Sequence, residues 1–435
     1  AWIFASLLSA LLGLLQYFGV TANTTLDLWI TPAALGEAYA NLRQRNHFAS
    51  FTNIGMVALV WWVAQYKKHK MWPIAVAMLL ATGNAASSSR TGLVQLVLLL
   101  GLAWMWTGPD RGLRNAAVRR VLVAAVLAYG VATVALPLLL GVQVPAVGMV
   151  ARMVDTSTGC ASRLTLWSNM LHLIAQKPWL GWGWGELGYA HFITLYSEAR
   201  FCDIVDNAHN LPLHLAVELG LPLALAVCGT GAWLVWRAKP WREMDASRQM
   251  AWAVLTLIML HSMVEYPLWY GPFQMTVGLC VWMLWRPTGA GVVGANCKQY
   301  KPLVIAAHAL AATIFIAFIS YAAWDYWRVS QIYLPPEQRA LAYRDHTFEK
   351  ISGSWLFNNQ VDFAELSITP LSPATAERIH TLAQSLLHFS AEASVVQKLV
   401  ESSVMLGRDG EALYYLARYR AAFPAHHARW AGRKP

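Results

Sequence analysis

Apolar residues run through this chain in blocks near twenty long, separated by short polar stretches, rather than in alternating or three-to-four-residue patches. A block of that length is what a helix needs to cross roughly 30 Å of hydrocarbon. Nine blocks can be drawn, at about 1–20, 48–66, 71–88, 91–106, 121–141, 211–236, 249–265, 267–285 and 302–324. The fourth is short enough to need tilt or local thinning of the bilayer. The pattern predicts an all-α fold, a polytopic transmembrane helical bundle over 1–324. After the ninth block the material changes. Residues 325–435 hold 12 Lys+Arg and 11 Asp+Glu, the mix of a water-facing surface. Helical stripes there open near Ser372, run over about 391–406 up to Gly407, and continue from Glu411 to Phe423 before Pro424. This tail reads as a small helical domain whose paired helices resemble a tetratricopeptide hairpin.

The polar stretches carry an orientation. Basic loops at Lys67–Lys70, Arg111–Arg120, Arg237–Arg242 and Arg286–Lys301 all fall on one side if the nine segments alternate, and the positive-inside rule makes that side cytoplasmic. The other face collects the long insertions: 21–47, the turn at 87–92, the loop 142–210, the turn at 265–267 and the tail. The chain opens Ala-Trp-Ile-Phe, inside an apolar run and without a basic leader. Further spans upstream are therefore expected.

Composition agrees. Hydrophobic residues make up 57% and charged residues only 13%, about half the charged share of a soluble domain, which excludes a water-soluble enzyme with one core. The net charge of +10 is spent on the loops, and no phosphate loop, metal finger or RNA-binding motif is present, so no nucleic-acid partner is expected. The partners expected from composition are membrane lipids.

The candidate chemistry gathers on the extracytoplasmic face. Ser87-Ser88-Ser89-Arg90-Thr91-Gly92 sets an arginine between two apolar runs, which marks a functional residue or a headgroup anchor. In the long loop, Arg163 follows Cys160, and Trp179, Trp182 and Trp184 alternate with glycines, a density that suits an interface-lying segment or a sugar platform. At the end of that loop, His209 follows Asp206 by three residues and precedes Asn210. A neutral imidazole there accepts a proton from a hydroxyl, with Asp206 free to hold its tautomer. Asn210 also suits a helix cap ahead of Pro212, and the spacing from Asp203 through Asp206 to His209 would also fit a divalent metal. Arg43, Gln44 and His47 precede the second span, and Glu265, Tyr266 and Tyr270 join the seventh and eighth.

With Asn41–His47, Ser87–Gly92, Gly181–Gly185, Asn207–Asn210 running on to Glu218, and His261–Tyr270, the chain resembles the O-antigen ligase superfamily, which includes bacterial protein O-oligosaccharyltransferases. The resemblance covers the first loop to about residue 285. It implies a C-type glycosyltransferase-like bundle with a periplasmic catalytic loop and tail, in a bacterial inner membrane. Such an enzyme passes a glycan from undecaprenyl diphosphate, en bloc and with inversion, to an acceptor hydroxyl on lipid A–core or on a protein such as pilin, without a metal or other cofactor. It implies His209 as general base, Arg90 and Arg163 on the donor diphosphate, and Gln44 and Arg43 as substrate-binding residues. Asn210, Asp206, Glu265, Tyr266 and Tyr270 fall to substrate or acceptor positioning. Within the superfamily an O-antigen polymerase is the alternative; outside it, a transporter of lipid-linked glycan. Cys160 and Cys202, both in the oxidising compartment, are a candidate disulfide.

Overall fold

In a bilayer every backbone N–H and C=O has to be satisfied within its own segment, so an isolated apolar run becomes a helix. The computed structural model of the chain describes residues 1–21, 30, 33–66, 71–107, 113–141, 148–149, 160–285 and 301–432, and contains no strand among them. Each of the nine apolar blocks is a helix: α1 (Trp2–Tyr17), α2 (Arg45–Gln65), α3 (Trp72–Ala86), α4 (Arg90–Thr107), α5 (Leu113–Leu139), then, beyond the loop helices α6 (Arg163–Gln176) and α7 (Leu187–Ile193), α8 (Leu211–Ala238), α9 (Ala246–Ser262), α10 (Gly271–Trp285) and α11 (Lys301–Ser330). The tail follows as α12 (Thr347–Ile351), α13 (Asn358–Ile368), α14 (Ala376–Phe389), α15 (Ala393–Met405), α16 (Asp409–Ala422) and α17 (Pro424–Ala431). Four stretches, Arg45–Gln65, Ala116–Leu139, Leu211–Arg242 and Ala309–Tyr333, are long and apolar enough to span a membrane, and Trp2–Tyr17, Trp72–Ala86 and Arg90–Trp106 are shorter apolar helices. The basic residues at 67–70, 111, 286 and 298, and Cys297, lie outside the described residues.

The chain divides into two compact units. The first comprises residues 1–162, 207–216 and 222–287. Its hub is α2, which packs against α1, α3, α4, α5 and α9. A helix buried all round needs small side chains where neighbours cross and partners for every polar group. Gly55 meets the first need: a Cβ there would lie 2.4 Å from the Cβ of Ser6 on α1. Ser50 and Asn53 meet the second. Ser50 Oγ donates to Gln95 Oε1 at 3.0 Å and lies 2.8 Å from His261 Nδ1. Asn53 Nδ2 donates to Gly92 O at 3.0 Å, and its Oδ1 accepts from Asn84 Nδ2 at 3.1 Å. Gln95 Nε2 donates to Leu257 O at 2.9 Å. One buried network thus joins α2, α3, α4 and α9.

The second unit comprises residues 163–206, 217–221 and 288–435. Loop and tail fold together here. Phe192 of α7 sits in a core with Ile379, Leu386, Val396, Leu399 and Tyr419 of the tail helices. Arg418 Nε donates to Ile193 O at 2.8 Å, and His388, stacked on Tyr189 with centroids 4.1 Å apart, lies 2.7 Å from Glu186 Oε2. Helices α14, α15 and α16 start near the sequence stripes and pack as successive neighbours; α12, α13 and α17 were not foreshadowed by any stripe.

Candidate functional site

The His209 turn is shaped by its neighbours. His209 has φ +50°, a left-handed conformation that a β-carbon disfavours and that needs local support. Asn207 supplies it, its Oδ1 accepting from His209 N at 2.9 Å. Asn210 then caps α8, accepting from Leu213 N at 3.1 Å, while its Nδ2 donates to Met263 O at 3.1 Å beyond the end of α9. Capping and site-building coincide in Asn210.

That last bond brings Glu265 to His209. Glu265 is held by its N–H on His261 O at 2.9 Å. Its buried carboxylate has Oε2 2.8 Å from His209 Nδ1, although the approach is off the hydrogen-bond axis, a looseness usual in sites without substrate. The other oxygen, Oε1, accepts from Asn46 Nδ2 at 3.1 Å. Asn46 Oδ1 accepts from Ser89 Oγ at 2.6 Å, and Ser89 Oγ in turn accepts from Gly92 N at 3.0 Å, capping α4. An unbroken chain of polar contacts therefore runs from His209 through Glu265, Asn46 and Ser89 to the turn whose next residue is Arg90. Arg90 is exposed. The close seat of this turn explains Gly92, where a Cβ would lie 2.3 Å from Asn84 Oδ1 and 2.5 Å from Ala49 Cβ.

One aromatic ring meets the dyad, and others gather on the neighbouring His47. Tyr266 presents a T-shaped contact to His209 at 4.9 Å. Tyr270 packs on the fully buried His47 ring at 4.1 Å, and His261 lies 5.1 Å from the same ring. Gln44 caps α2, its Oε1 accepting from His47 N at 2.7 Å, and Arg43, at φ +58°, is exposed in the turn before it. Among the described residues no group of three or more His, Cys, Asp or Glu side chains is arranged to hold a metal ion.

Of the residues singled out from the sequence, the first unit joins His209, Glu265, Asn210 and Tyr266 directly and reaches Arg90 through Ser89. Within the first unit the carboxylate beside His209 Nδ1 is that of Glu265. Asp206 belongs to the second unit, exposed on a cavity of about 100 Å³ with Tyr189, Arg200, Asp203 and His388. Arg163 opens α6 in that same unit. Asn46 and Ser89 were missed as site residues; the available signal was their position, each beside a candidate in a polar turn that starts a span. Cys160 and Cys202 are both disulfide-bonded. In the second unit, burial, with the charge of Arg200 adding, pushes His191 down to about 3, so it is neutral between Tyr196 OH (2.8 Å from Nδ1) and Phe201 O (3.3 Å from Nε2).

Comparison with known proteins identifies relatives of this arrangement. The family described as O-Antigen ligase matches residues 75–228, the family described as virulence factor membrane-bound polymerase, C-terminal, matches 249–434, and the family described as protein glycosylation ligase matches 38–63. A general O-oligosaccharyltransferase of Acinetobacter baylyi is 26% identical over 260 residues, covering 58% of this chain and 44% of the relative. A ComP-specific O-oligosaccharyltransferase of the same organism is 23% identical over 284 residues, covering 64% and 50%. The chain spans about half the length of the curated relatives it matches. No solved structure matches.

Proposed function

We propose that this chain, homologous to the O-antigen ligases and to PglL-type O-oligosaccharyltransferases, is the catalytic part of a membrane glycosyltransferase that moves a lipid-linked glycan to an acceptor hydroxyl. The observation that carries the reading is the chain His209–Glu265–Asn46–Ser89, which fixes a base against the turn that bears Arg90. Glu265 takes the proton-bearing Nδ1 side of the ring, so Nε2 is left as the acceptor of a proton, the logic by which a carboxylate sets a histidine's tautomer.

The acceptor oxygen forms a bond to the anomeric carbon while the bond from that carbon to the diphosphate oxygen breaks, its electron pair leaving on the phosphate. The hydroxyl proton passes to His209 Nε2, and Glu265 stabilises the imidazolium. Attack opposite the leaving group gives inversion. Arg90 meets the charge that grows on the diphosphate, and Arg163 is assigned to the same group from the family resemblance alone. Gln44 and Asn210 act through the backbone they cap, Arg43 is kept as an exposed donor contact, Tyr266 orients the His209 ring by its edge contact, and Tyr270 is kept for acceptor positioning.

We take undecaprenyl diphosphate as the donor lipid, the extracytoplasmic face of a bacterial inner membrane as the location, and a protein hydroxyl as the acceptor. The match of residues 38–63 to the family described as protein glycosylation ligase supports the acceptor. A second reading, glycan polymerisation, is favoured by the polymerase description of the match over residues 249–434. Reconstitution with a lipid-linked glycan, offering lipid A–core, a pilin and a second lipid-linked glycan in parallel, separates them. Product on the pilin supports the proposal; product only on the lipid-linked glycan or lipid A–core replaces it.

A further inference from the structure

The loop helix α6 has an apolar inner face and an outer face on which two leucines stand among Ser168, His172 and Gln176. One packs inward through Leu166, Met170, Leu173 and Ile174. The other points outward: Leu164 is 75% exposed and Leu171 59%, one face by their spacing of seven. The chain then continues into Trp179 (75% exposed), Leu180 (87%) and Trp184 (67%). Trp182, between them, is turned inward, its Nε1 donating to Leu173 O at 3.0 Å. Large apolar side chains this exposed, gathered within one short segment, mark an interaction surface.

The backbone says what covers this face. Residues 178–183 pair with the break in α8: Leu221 N donates to Pro178 O at 2.8 Å, Trp182 N to Val217 O at 2.8 Å, and Gly183 N to Glu218 O at 2.9 Å. The break is Gly220, at φ +81° and ψ +163°. The approach requires glycine on both strands of the pairing, since a Cβ on Gly181 would lie 2.4 Å from Glu218 O and one on Gly220 2.3 Å from Trp179 O. Residues 217–221 belong to a stretch, Leu211–Arg242, apolar and long enough to cross a membrane. Its basic residues, Arg237, Lys239 and Arg242, mark one end, and counting back from them the ~20 residues that a span needs leaves its first turns, up to the break, at the opposite bilayer boundary. A segment hydrogen-bonded there lies at the boundary too. The charges fit: α6 carries no acidic residue, and Lys177 sits over the Trp182 ring at 4.1 Å, with its ammonium at the edge of the patch. Tryptophans with a flanking cation are the composition of a headgroup-level anchor.

We propose that Leu164–Trp184 is an interfacial anchor, seated in the headgroup–acyl boundary of the leaflet where Leu211–Gly220 begins its span, with Lys177 directed at lipid phosphate. The partner is the bilayer itself. The inference rests on the chain's being a membrane protein and not on the transferase reading, so either can fail alone.

The test uses the full chain in nanodiscs containing anionic phospholipid, with Cys228, Cys280 and Cys297 replaced and a nitroxide placed at Leu180→Cys. Leu171→Cys serves as a second site, and Leu413→Cys on the tail (Leu413 is 66% exposed) as the water-facing reference. Collision rates with oxygen, which concentrates in lipid, and with a water-soluble nickel chelate are compared. The expected result at 171 and 180 is a several-fold lower nickel rate than at 413 with a higher oxygen rate. Nickel access equal to that at 413 overturns the proposal. Loss of access to both reagents also overturns it, because protein would then be covering the face.

Discussion

Replacing Glu265 by glutamine removes one charge and almost no volume, and the local geometry dictates the outcome. Asn46 Nδ2 donates to one carboxylate oxygen at 3.1 Å, so the amide oxygen of the introduced side chain stays on that side. Its NH₂ group then occupies the position of Oε2, 2.8 Å from His209 Nδ1. Two N–H groups cannot face each other at that distance, so Nδ1 has to present its lone pair and the proton moves to Nε2. That is the wrong tautomer for a base acting through Nε2. Loss of a correctly held base costs about 10²–10⁴ in rate, or roughly 3–5 kcal/mol on the barrier. Single-turnover transfer from a lipid-linked glycan by reconstituted protein should show that loss in kcat, with KM for the donor nearly unchanged because Glu265 does not touch it. The double variant with His209→Ala should be no slower than His209→Ala alone, since the two residues act as one unit. A Glu265→Gln rate within threefold of wild type would refute the assignment.

Other outcomes follow from the same structure. Asn46→Ala leaves Glu265 Oε1 and Ser89 Oγ each short of a bond; about 1–3 kcal/mol of stability should be lost, read as lowered Tm in detergent, with a smaller fall in rate than for Glu265→Gln. Gly92→Ala forces a Cβ against Ala49 and Asn84, so about 1–3 kcal/mol of strain is expected, together with reduced transfer as the Arg90 turn shifts; wild-type activity would show that the turn is not the rigid seat described. His191 has its folded pKa depressed to about 3 against an ordinary 6.5. The unfolded loop therefore binds more protons between these values, and stability present above pH 6.5 is lost as pH falls through that window, by about 2 kcal/mol at pH 5. Hydrogen exchange in residues 187–201 should rise accordingly, and a His191→Gln variant should lose that part of the pH dependence.

The fold was largely legible because a bilayer asks little of a sequence. Run length alone decides that a block such as 48–66 is a helix, and it became one, with Gln44 extending its start by capping. The packing order was not legible. Nothing local in α2 marks it as the hub, since its burial depends on small and polar side chains that would serve equally well on a surface helix. The geometry of the candidate site was legible where candidate chemistry and local grammar coincide, at His209, Asn210 and the Ser87–Gly92 turn. It was not legible where a partner is distant in sequence. Glu265 is 56 residues beyond His209, and nothing local in the sequence shows that the α9 terminus, tied to Asn210 through Met263, sets its carboxylate 2.8 Å from Nδ1. The union of loop and tail was hidden for the same reason: Phe192 finds its core in helices more than 180 residues further along.

In the proposed mechanism His209 takes the acceptor's proton while other groups hold the donor. The direct measurement is made on reconstituted His209→Ala, with donor binding followed by equilibrium partition of a labelled undecaprenyl-diphosphate glycan and transfer followed on a pilin acceptor. Donor binding within a few-fold of wild type, with transfer reduced at least about a hundredfold, is the predicted result. Undiminished transfer, or loss of donor binding in parallel with transfer, would contradict it.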